Sequence, residues 1–557
     1  MEKLNKVIKP VKWIKSNILQ SIKLAIVMEI LVLFTNNISA QSYNFETAEK
    51  AFQQKDFDKA LDYFSREISD NPKGAMSYYY KAIIYNLQNK NSFALSNVNN
   101  AIKYFLSKDK ILLSWSHILK GDIYLKIDNL EKTFEEYEIA LKLTPDEATI
   151  YIYRAQIYFD LKEYKKAEED YKLALVKDES LVVAWAGLGR NYLSEKKYSE
   201  AEKILNKLIK FEPKYNIGYK FRARLYYEQE RYKDAIDDIF YAFSLDDTDE
   251  IMQNILIFYS KKNYPLSISK VNAQIVSQPE KDLWYIIRVQ LFEDSNNFEA
   301  ASKDYSKLIE LSAIGLKPLL LTYRGENFLN LGWFQKAISD FTESISIDST
   351  DAQNYGYRAD AKRLLGNYTD AVKDFTEAIK IDPSEPWFYY RRGWVKDEFL
   401  KDFMGGLDDY NQAIAIDKDY TYAYLHRGRL YESQLKKPQQ AKEDYLTIIS
   451  IDTTASNQGN CRQYALFHLG RNAEAIEWQN KILEQYPTEG NYYDAACLYS
   501  RMHKPKEAIE NLRLAFKNGN RNFVQISKDD DLDFIRNLPE FKVLVQEWKS
   551  AFDASQK

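Results

Sequence analysis

The sequence is poor in the residues that form tight turns, covalent cross-links and metal sites. Its 557 residues include only 18 glycines, 13 prolines, two cysteines and four histidines. Few glycines and prolines argue against a collagen-like chain, extended disorder and turn-rich β architectures. The formal net charge of −4 gives no basic surface of the kind that nucleic-acid binding requires. A chain of this length exceeds one compact core, so it forms either several domains or a repeat array.

Motifs of catalysis are also absent from the sequence. It contains no G-x-x-x-x-G-K-[ST], no G-x-S-x-G and no H-E-x-x-H. The histidines are scattered through predicted helices, and we interpret them as surface or packing residues: His117, His426, His468 and His503. The sequence therefore predicts a non-enzymatic protein with no cofactor and no metal.

The first forty residues differ from the rest of the chain. Six lysines precede the apolar run LAIVMEILVLF (24–34): Lys3, Lys6, Lys9, Lys12, Lys15 and Lys23. A basic leader, a short apolar core and a small residue at the exit are typical of a secretory signal peptide. We predict that residues 1–40 are cleaved after Ala40 and that the chain is exported to the periplasm or cell envelope. The alternative is an uncleaved N-terminal membrane anchor.

The two cysteines, Cys461 and Cys497, lie about one repeat apart in the sequence. In an exported chain they could face each other across neighbouring helices and form a disulfide. Two buried free thiols are the alternative, and the spacing does not decide between them.

One phrase recurs along the chain with its spacing preserved. Residues 366–383, GNYTDAVKDFTEAIKIDP, nearly repeat residues 332–348, GWFQKAISDFTESISID. Small residues mark fourteen copies at a spacing of about 34 residues: Ala60, Ala94, Thr133, Ala167, Ala201, Ala235, Ser267, Ala301, Ala337, Ala371, Gly406, Ala441, Ala475 and Ala508. The copies predict a repeat array over residues 41–520.

Each copy has the pattern of two helices. A small residue such as Gly121, Gly189 or Gly325 lies twelve positions before the marker, and an aromatic residue such as Tyr137 or Phe341 lies four positions after it. Spacings of three and four residues place such side chains on one helix face. Small residues allow two helices to approach to about 8–10 Å, and the aromatic rings fill the space beside them.

This pattern resembles the tetratricopeptide repeat, a helix–turn–helix unit of 34 residues, in an exported bacterial protein. The resemblance implies an all-α fold, a right-handed superhelical solenoid of about 14 hairpins, with residues 248–281 as a degenerate copy. Residues 521–557, which include DDDLDFIRNLPEFKVLV, resemble the closing module of many bacterial family members. They imply a C-terminal cap and tail, with a capping helix around Leu538–Glu547.

A second regularity pairs an arginine in the first helix with an aspartate in the second. The pairs are Arg154 with Asp170, Arg222 with Asp238, Arg288 with Asp304, Arg324 with Asp340, Arg358 with Asp374, Arg392 with Asp409, and Arg427 with Asp444. One copy carries Leu188 and Ile204 instead, so both partners became apolar together. We interpret the pairs as structural contacts within one hairpin. A ladder of arginines that binds an acidic partner is the alternative.

Stacked hairpins of this kind present their first helices on a concave wall. The candidate partner-binding residues on this wall are Trp387, Tyr390, Trp394, Arg190 and Arg224. The three aromatic residues could instead pack on the preceding hairpin. The sequence predicts a protein-interaction scaffold of the envelope whose partner is another protein or a peptide segment, with no nucleic acid. The alternatives are an accessory or substrate-adaptor subunit of an envelope enzyme, and a scaffold anchored in the membrane by residues 1–40.

Overall fold

The structure is a computed structural model that describes residues 42–246, 250–312, 314–452, 454 and 461–555. The predicted signal peptide and its cleavage position at Ala40 lie outside these ranges. Within them the only regular secondary structure is helical, which confirms the all-α class. None of the helices in these ranges combines the length and apolarity that a membrane crossing needs. The chain divides into two compact units at Asp247–Thr248.

The first unit contains six helical hairpins, each made of a first helix and a second helix. In order they are α1 Tyr43–Gln53 and α2 Phe57–Asp70, α3 Ala75–Leu87 and α4 Asn91–Tyr104, α5 Lys110–Lys126 and α6 Leu130–Leu143, α7 Ala148–Asp160 and α8 Tyr164–Lys177, α9 Val182–Ser194 and α10 Tyr198–Phe211, and α11 Asn216–Glu228 and α12 Tyr232–Leu245.

The second unit contains eight hairpins followed by a C-terminal module. The hairpins are α13 Glu250–Ser260 and α14 Tyr264–Ser277, α15 Asp282–Asp294 and α16 Phe298–Leu311, α17 Lys317–Asn330 and α18 Phe334–Ile347, α19 Ala352–Leu364 and α20 Tyr368–Ile381, α21 Pro386–Trp394 and α22 Phe403–Ile416, α23 Thr421–Ser433 and α24 Pro438–Ile451, α25 Arg462–His468 and α26 Asn472–Gln485, and α27 Glu489–Arg501 and α28 Pro505–Lys517. The module comprises α29 Phe523–Lys528, α30 Asp533–Arg536 and α31 Pro539–Ser555. Within the described ranges the two units contain fourteen hairpins, the number that the sequence predicts.

Local sequence explains where these helices begin and end. In α20, Ala371, Phe375 and Ala378 are fully buried at a spacing of four and three residues, so the helix has one apolar stripe. Proline closes this helix at residue 383, because proline cannot continue a helix. The turn between α19 and α20 requires a left-handed backbone, which Gly366 supplies at φ 86°.

The hairpins pack through contact between a small residue and an aromatic ring. A Cβ atom added to Gly325 would lie 2.6 Å from the Phe341 ring, and one added to Gly428 would lie 2.7 Å from the Tyr445 ring. These distances are below van der Waals contact, so only a small residue allows the two helices to approach. The close approach explains why the sequence keeps a small residue sixteen or seventeen positions before the ring in these hairpins.

The degenerate copy at residues 248–281 is also a helical hairpin, α13 and α14. Ser267 replaces the usual alanine and is fully buried. Its hydroxyl donates a hydrogen bond of 3.2 Å to the backbone carbonyl of Ser260. The internal bond satisfies the extra polar group, so the hairpin accommodates the substitution.

The C-terminal module packs on the last hairpin and also returns to earlier ones. Phe541 and Leu544 of α31 are buried in one cluster with Leu512 and Phe516 of α28, which agrees with a capping helix. The far end of the same helix reaches the turn between α17 and α18. A Cβ atom added to Gly332 in this turn would lie 3.3 Å from the ring of Phe552. The module therefore does more than cap the last hairpin.

Candidate functional site

The repeated arginines are bonded within their own hairpins. Arg324 donates from Nε and Nη2 to the two carboxylate oxygens of Asp340, each at 2.7 Å. The same two-bond geometry joins Arg154 to Asp170, Arg222 to Asp238, Arg288 to Asp304, Arg358 to Asp374, Arg392 to Asp409 and Arg427 to Asp444. All seven aspartates are buried. These guanidiniums are thus engaged by internal carboxylates and hold the two helices of each hairpin together.

The two candidate arginines of the first unit are also engaged inside the chain. Arg190 donates to the side-chain oxygen of Gln156, and its guanidinium lies 3.9 Å from the centre of the Phe159 ring. Arg224 is more exposed and donates to Glu228, one turn further along α11, at 2.7 Å. Both arginines therefore already have partners within the first unit.

The three candidate aromatic residues of α21 have different surroundings. Trp387 is half-buried, and its ring centre lies 5.7 Å from that of Tyr357 on the preceding hairpin. Tyr390 is only 5% exposed and stacks on Tyr422 of α23 with ring centres 5.5 Å apart. Trp394 is half-buried and parallel to Tyr390 at 6.4 Å. Tyr390 is therefore a packing residue, whereas Trp387 and Trp394 each keep part of the ring exposed.

All three aromatic residues line one cavity of the second unit, with a volume of about 440 Å³. The first helices α19, α21, α23, α25 and α27 each contribute side chains to its wall, and the segment from Gln525 to Asp531 contributes five more residues. Its size falls within the usual range for small-ligand pockets, about 300–1,000 Å³. The concave wall predicted from the sequence is thus closed on one side by the C-terminal module.

Hydrogen bonds hold the C-terminal module against this wall. Arg429 of α23 donates to both carboxylate oxygens of Asp531, at 2.7 and 3.3 Å. Arg501 of α27 donates to the same carboxylate at 3.0 Å. Lys528 reaches the hydroxyl of Tyr368 at 3.4 Å, across 160 positions of sequence. The segment DDDLDF, which the sequence analysis assigned only to a cap, is therefore part of the candidate site.

One wall of the cavity carries two arginines and a single carboxylate, and we call it the cationic wall (Arg363, Arg391). Arg363 donates to Asp360 at 2.9 Å, whereas Arg391 lies 3.6 Å from that carboxylate, beyond hydrogen-bond distance for its Nε. Both guanidiniums lie against the Trp394 ring, at 4.5 and 5.3 Å from its centre. Burial lowers the pKa of Arg363, and the neighbouring Arg391 guanidinium lowers it further against the opposing effect of Asp360.

A second wall carries an excess of carboxyl groups, and we call it the acidic wall (Asp494, Asp529). Burial raises the pKa of Asp494 to about 7, and the carboxylates of Asp529 and Asp531 add to this rise. Burial and the Asp531 carboxylate also raise the pKa of Asp529, although Tyr493 donates a 2.6 Å hydrogen bond to it. For Asp531 burial acts in the same direction, but Arg429 and Arg501 outweigh it and lower the pKa.

Three further titratable side chains line the cavity: His426, Cys461 and Cys497. Burial lowers the pKa of His426 to about 3, with Arg429 as a smaller cause, so its imidazole is neutral. Cys461 and Cys497 are both free and buried, and both line the cavity. Burial raises the pKa of both thiols, so they are poor nucleophiles. Across the described ranges no group of three or more His, Cys, Asp or Glu side chains could hold a metal ion.

Several of the site's residues were not found by the sequence analysis. Asp494, Asp529 and Asp531 lie near the end of the chain, far in sequence from α21. The run DDDLDF gave a weak signal, because three consecutive acids in a predicted cap need cationic partners or solvent. No sequence spacing indicated that Arg429 is one of those partners.

Tandem helical hairpins with these contacts define a helical repeat protein. Family models agree with this class: a tetratricopeptide repeat model matches residues 119–181 and 187–249, a second matches residues 421–454, and a TPR repeat model matches residues 359–395. The chain contains tetratricopeptide repeats, and the fold and repeats support a role as a protein-interaction scaffold.

Known proteins resemble the chain at low identity. A chloroplast protein of Arabidopsis thaliana is 29% identical over 87 residues, which are 15% of this chain and 26% of that protein. This chain therefore aligns with about a quarter of that relative's length. The Cut9–Hcn1 hetero-tetramer of the APC/C is 15% identical, with a TM-score of 0.31 and coverage of 82% of this chain and 95% of that chain. A tetratricopeptide repeat protein from Parabacteroides merdae is 18% identical, with a TM-score of 0.26 and coverage of 42% and 93%.

Proposed function

We propose that this chain is a non-enzymatic scaffold of the bacterial cell envelope that binds a segment of a partner protein on the wall of the second unit around Trp394. The observation that carries the proposal is the cavity of about 440 Å³, which is lined by aromatic side chains and arginines. Interfaces concentrate their binding energy in a few such residues, Trp, Tyr and Arg above all.

Trp394 is a better candidate anchor than Tyr390. It is half-buried, so part of its ring is available to a partner, whereas Tyr390 is 5% exposed and packed between neighbours. The arginines of the hairpin pairs are excluded as anchors, because their carboxylates engage them already. The envelope location rests on the predicted signal peptide, residues 1–40.

The location is tested by the mass of the protein recovered from envelope fractions. Cleavage after Ala40 predicts a chain that begins at Gln41. A chain that retains residues 1–40 in the membrane fraction supports the anchored alternative, and recovery only from the cytoplasm contradicts the envelope proposal.

The binding site is tested by cross-linking in the producing cells. A photoreactive aromatic residue replaces Trp394 in one variant and Phe211 in a control, since Phe211 is 54% exposed on α10 of the first unit. We expect a specific protein adduct from position 394 and none from position 211. The identified partner should then bind Trp394→Ala more weakly by about 2 kcal/mol or more, the usual hot-spot threshold. Equal adducts from both positions, or unchanged affinity, contradict the proposed site.

A further inference from the structure

The cationic wall of the cavity has an excess of positive charge, and the acidic wall has an excess of carboxyl groups. The cationic wall places two guanidiniums beside one carboxylate, Asp360. The Nε atom of Arg391 is buried and finds no hydrogen-bond acceptor in the described part of the chain. A buried donor without a partner loses the hydrogen bond that it makes to water, which destabilises the empty site. An added carboxylate at Arg391 would supply both the missing acceptor and the missing negative charge.

The acidic wall has the opposite imbalance. The Asp531 carboxylate accepts hydrogen bonds from both nearby arginines, Arg429 and Arg501. Asp494 and Asp529 are left with neutral partners, among them the hydroxyl of Tyr493 at 2.6 Å from Asp529. Their pKa values are raised by burial and by the repulsion of neighbouring carboxylates, which a cationic group between them would relieve.

Tyr390 and Tyr422 line the same cavity as the two walls. The Arg391 guanidinium lies 5.6 Å from the centre of the Tyr390 ring, and the Tyr390 and Tyr422 rings stack with their centres 5.5 Å apart. An extended peptide spans about 3.5 Å per residue, so a di- or tripeptide is about 7–10 Å long. The faces of the two tyrosines suit the apolar atoms of such a ligand.

We propose that the cavity binds a free di- or tripeptide in its zwitterionic form, with the carboxylate at Arg391 and the ammonium group at Asp494. The volume of about 440 Å³ accommodates a ligand of this size. The C-terminal segment bounds the cavity together with the first helices. This inference goes beyond the proposed function, because a free peptide is distinct from a partner protein, although both use the surroundings of Trp394.

The test is retention of synthetic tripeptides by the purified full-length chain in equilibrium dialysis, read by mass spectrometry. The probe is an Ala-X-Ala pool with the central residue randomised, prepared with free termini, with an amidated carboxyl end and with an acetylated amino end. We expect the free form to be retained about tenfold or more over either blocked form, since each block removes one charge-assisted hydrogen bond.

Three variants assign the ends of the ligand. Arg391→Gln should lose the preference for a free carboxylate, and Asp494→Asn should lose the preference for a free ammonium group. Arg391→Gln should melt as the wild type does, because Arg363 keeps Asp360 as its partner. Arg224→Gln is the matched control, an arginine of a first helix that lies outside the cavity and pairs with Glu228.

Two results overturn the proposal. If no pool is retained, or if the amidated and acetylated pools are retained as well as the free pool, the cavity does not recognise the charged termini of the peptide. If Arg391→Gln keeps the wild-type preference, the carboxylate is bound elsewhere. Either result leaves the cross-linking at position 394 untouched, so failure of this inference is distinguishable from failure of the scaffold proposal.

Discussion

Removing Arg324 alone should destabilise the α17–α18 hairpin more than removing Arg324 and Asp340 together. The side chains of this pair are 18% and 6% exposed, and they share two hydrogen bonds of 2.7 Å. Breaking a buried pair from one side leaves an uncompensated charge and costs about 3–5 kcal/mol. The partial exposure of the guanidinium places Arg324→Leu near about 3 kcal/mol, at the lower end of that range. The double change to leucine should recover most of this loss.

A neighbouring pair provides an internal comparison. Asp374 accepts from Arg358 at 2.8 and 2.9 Å, and the Lys362 ammonium lies 2.6 Å from the same carboxylate. Since Lys362 continues to neutralise Asp374, Arg358→Leu should cost less than Arg324→Leu, about 1–2 kcal/mol. Arg358→Leu with Asp374→Leu should therefore show the weaker coupling of the two cycles.

Hydrogen exchange measured by mass spectrometry is the appropriate assay, because a repeat array loses structure locally and need not unfold in one step. Opening free energies for residues 317–347 and 352–381 give both double-mutant cycles in the same molecule. The hairpin with Leu188 and Ile204 at the paired positions shows that an apolar pair is compatible with the fold. Zero coupling between Arg324 and Asp340 would refute the reasoning, and equal costs for Arg324→Leu and Arg358→Leu would refute the role given to Lys362.

Three further predictions concern the second unit. Ala371→Glu should remove hydrogen-exchange protection mainly from residues 352–416, because Ala371 is fully buried and a carboxylate there is both too large and unpaired. A loss of protection spread evenly over both units would contradict this prediction. The pKa of Asp494 is raised from an ordinary value of 3.8 to about 7 in the fold, so protonation of Asp494 stabilises the folded state; this stabilisation is full below about pH 4 and is lost as the pH rises through 7. The wild type should therefore lose more thermal stability between pH 5 and 8 than Asp494→Asn. Parallel curves of thermal stability against pH would refute this. Arg429→Gln should expose the segment from Gln525 to Asp531 to protease, because it removes two hydrogen bonds to Asp531. The control Arg224→Gln should leave digestion unchanged. Equal protease resistance of the wild type and Arg429→Gln would show that the other contacts are sufficient to hold the segment.

The sequence by itself determined the repeat fold and the internal structure of each hairpin. The contact of Gly325 with Phe341 and the bonding of Arg324 to Asp340 both join residues sixteen positions apart, within one copy of the repeat. Such contacts follow from helix geometry, in which three or four residues complete a turn and a short turn brings two helices together. The position of the aromatic stripe on α21 was predictable for the same reason.

Only the tertiary structure decided which of these residues meet the C-terminal module. Arg429 and Asp531 are 102 positions apart, and Lys528 and Tyr368 are 160 apart. These contacts depend on the small rotation from each hairpin to the next, which accumulates over several repeats and leaves no mark in the spacing of any one of them. The same accumulation places Arg391 and Asp494 on one cavity, and sequence pattern cannot predict it because it is a property of the whole stack of hairpins in the second unit.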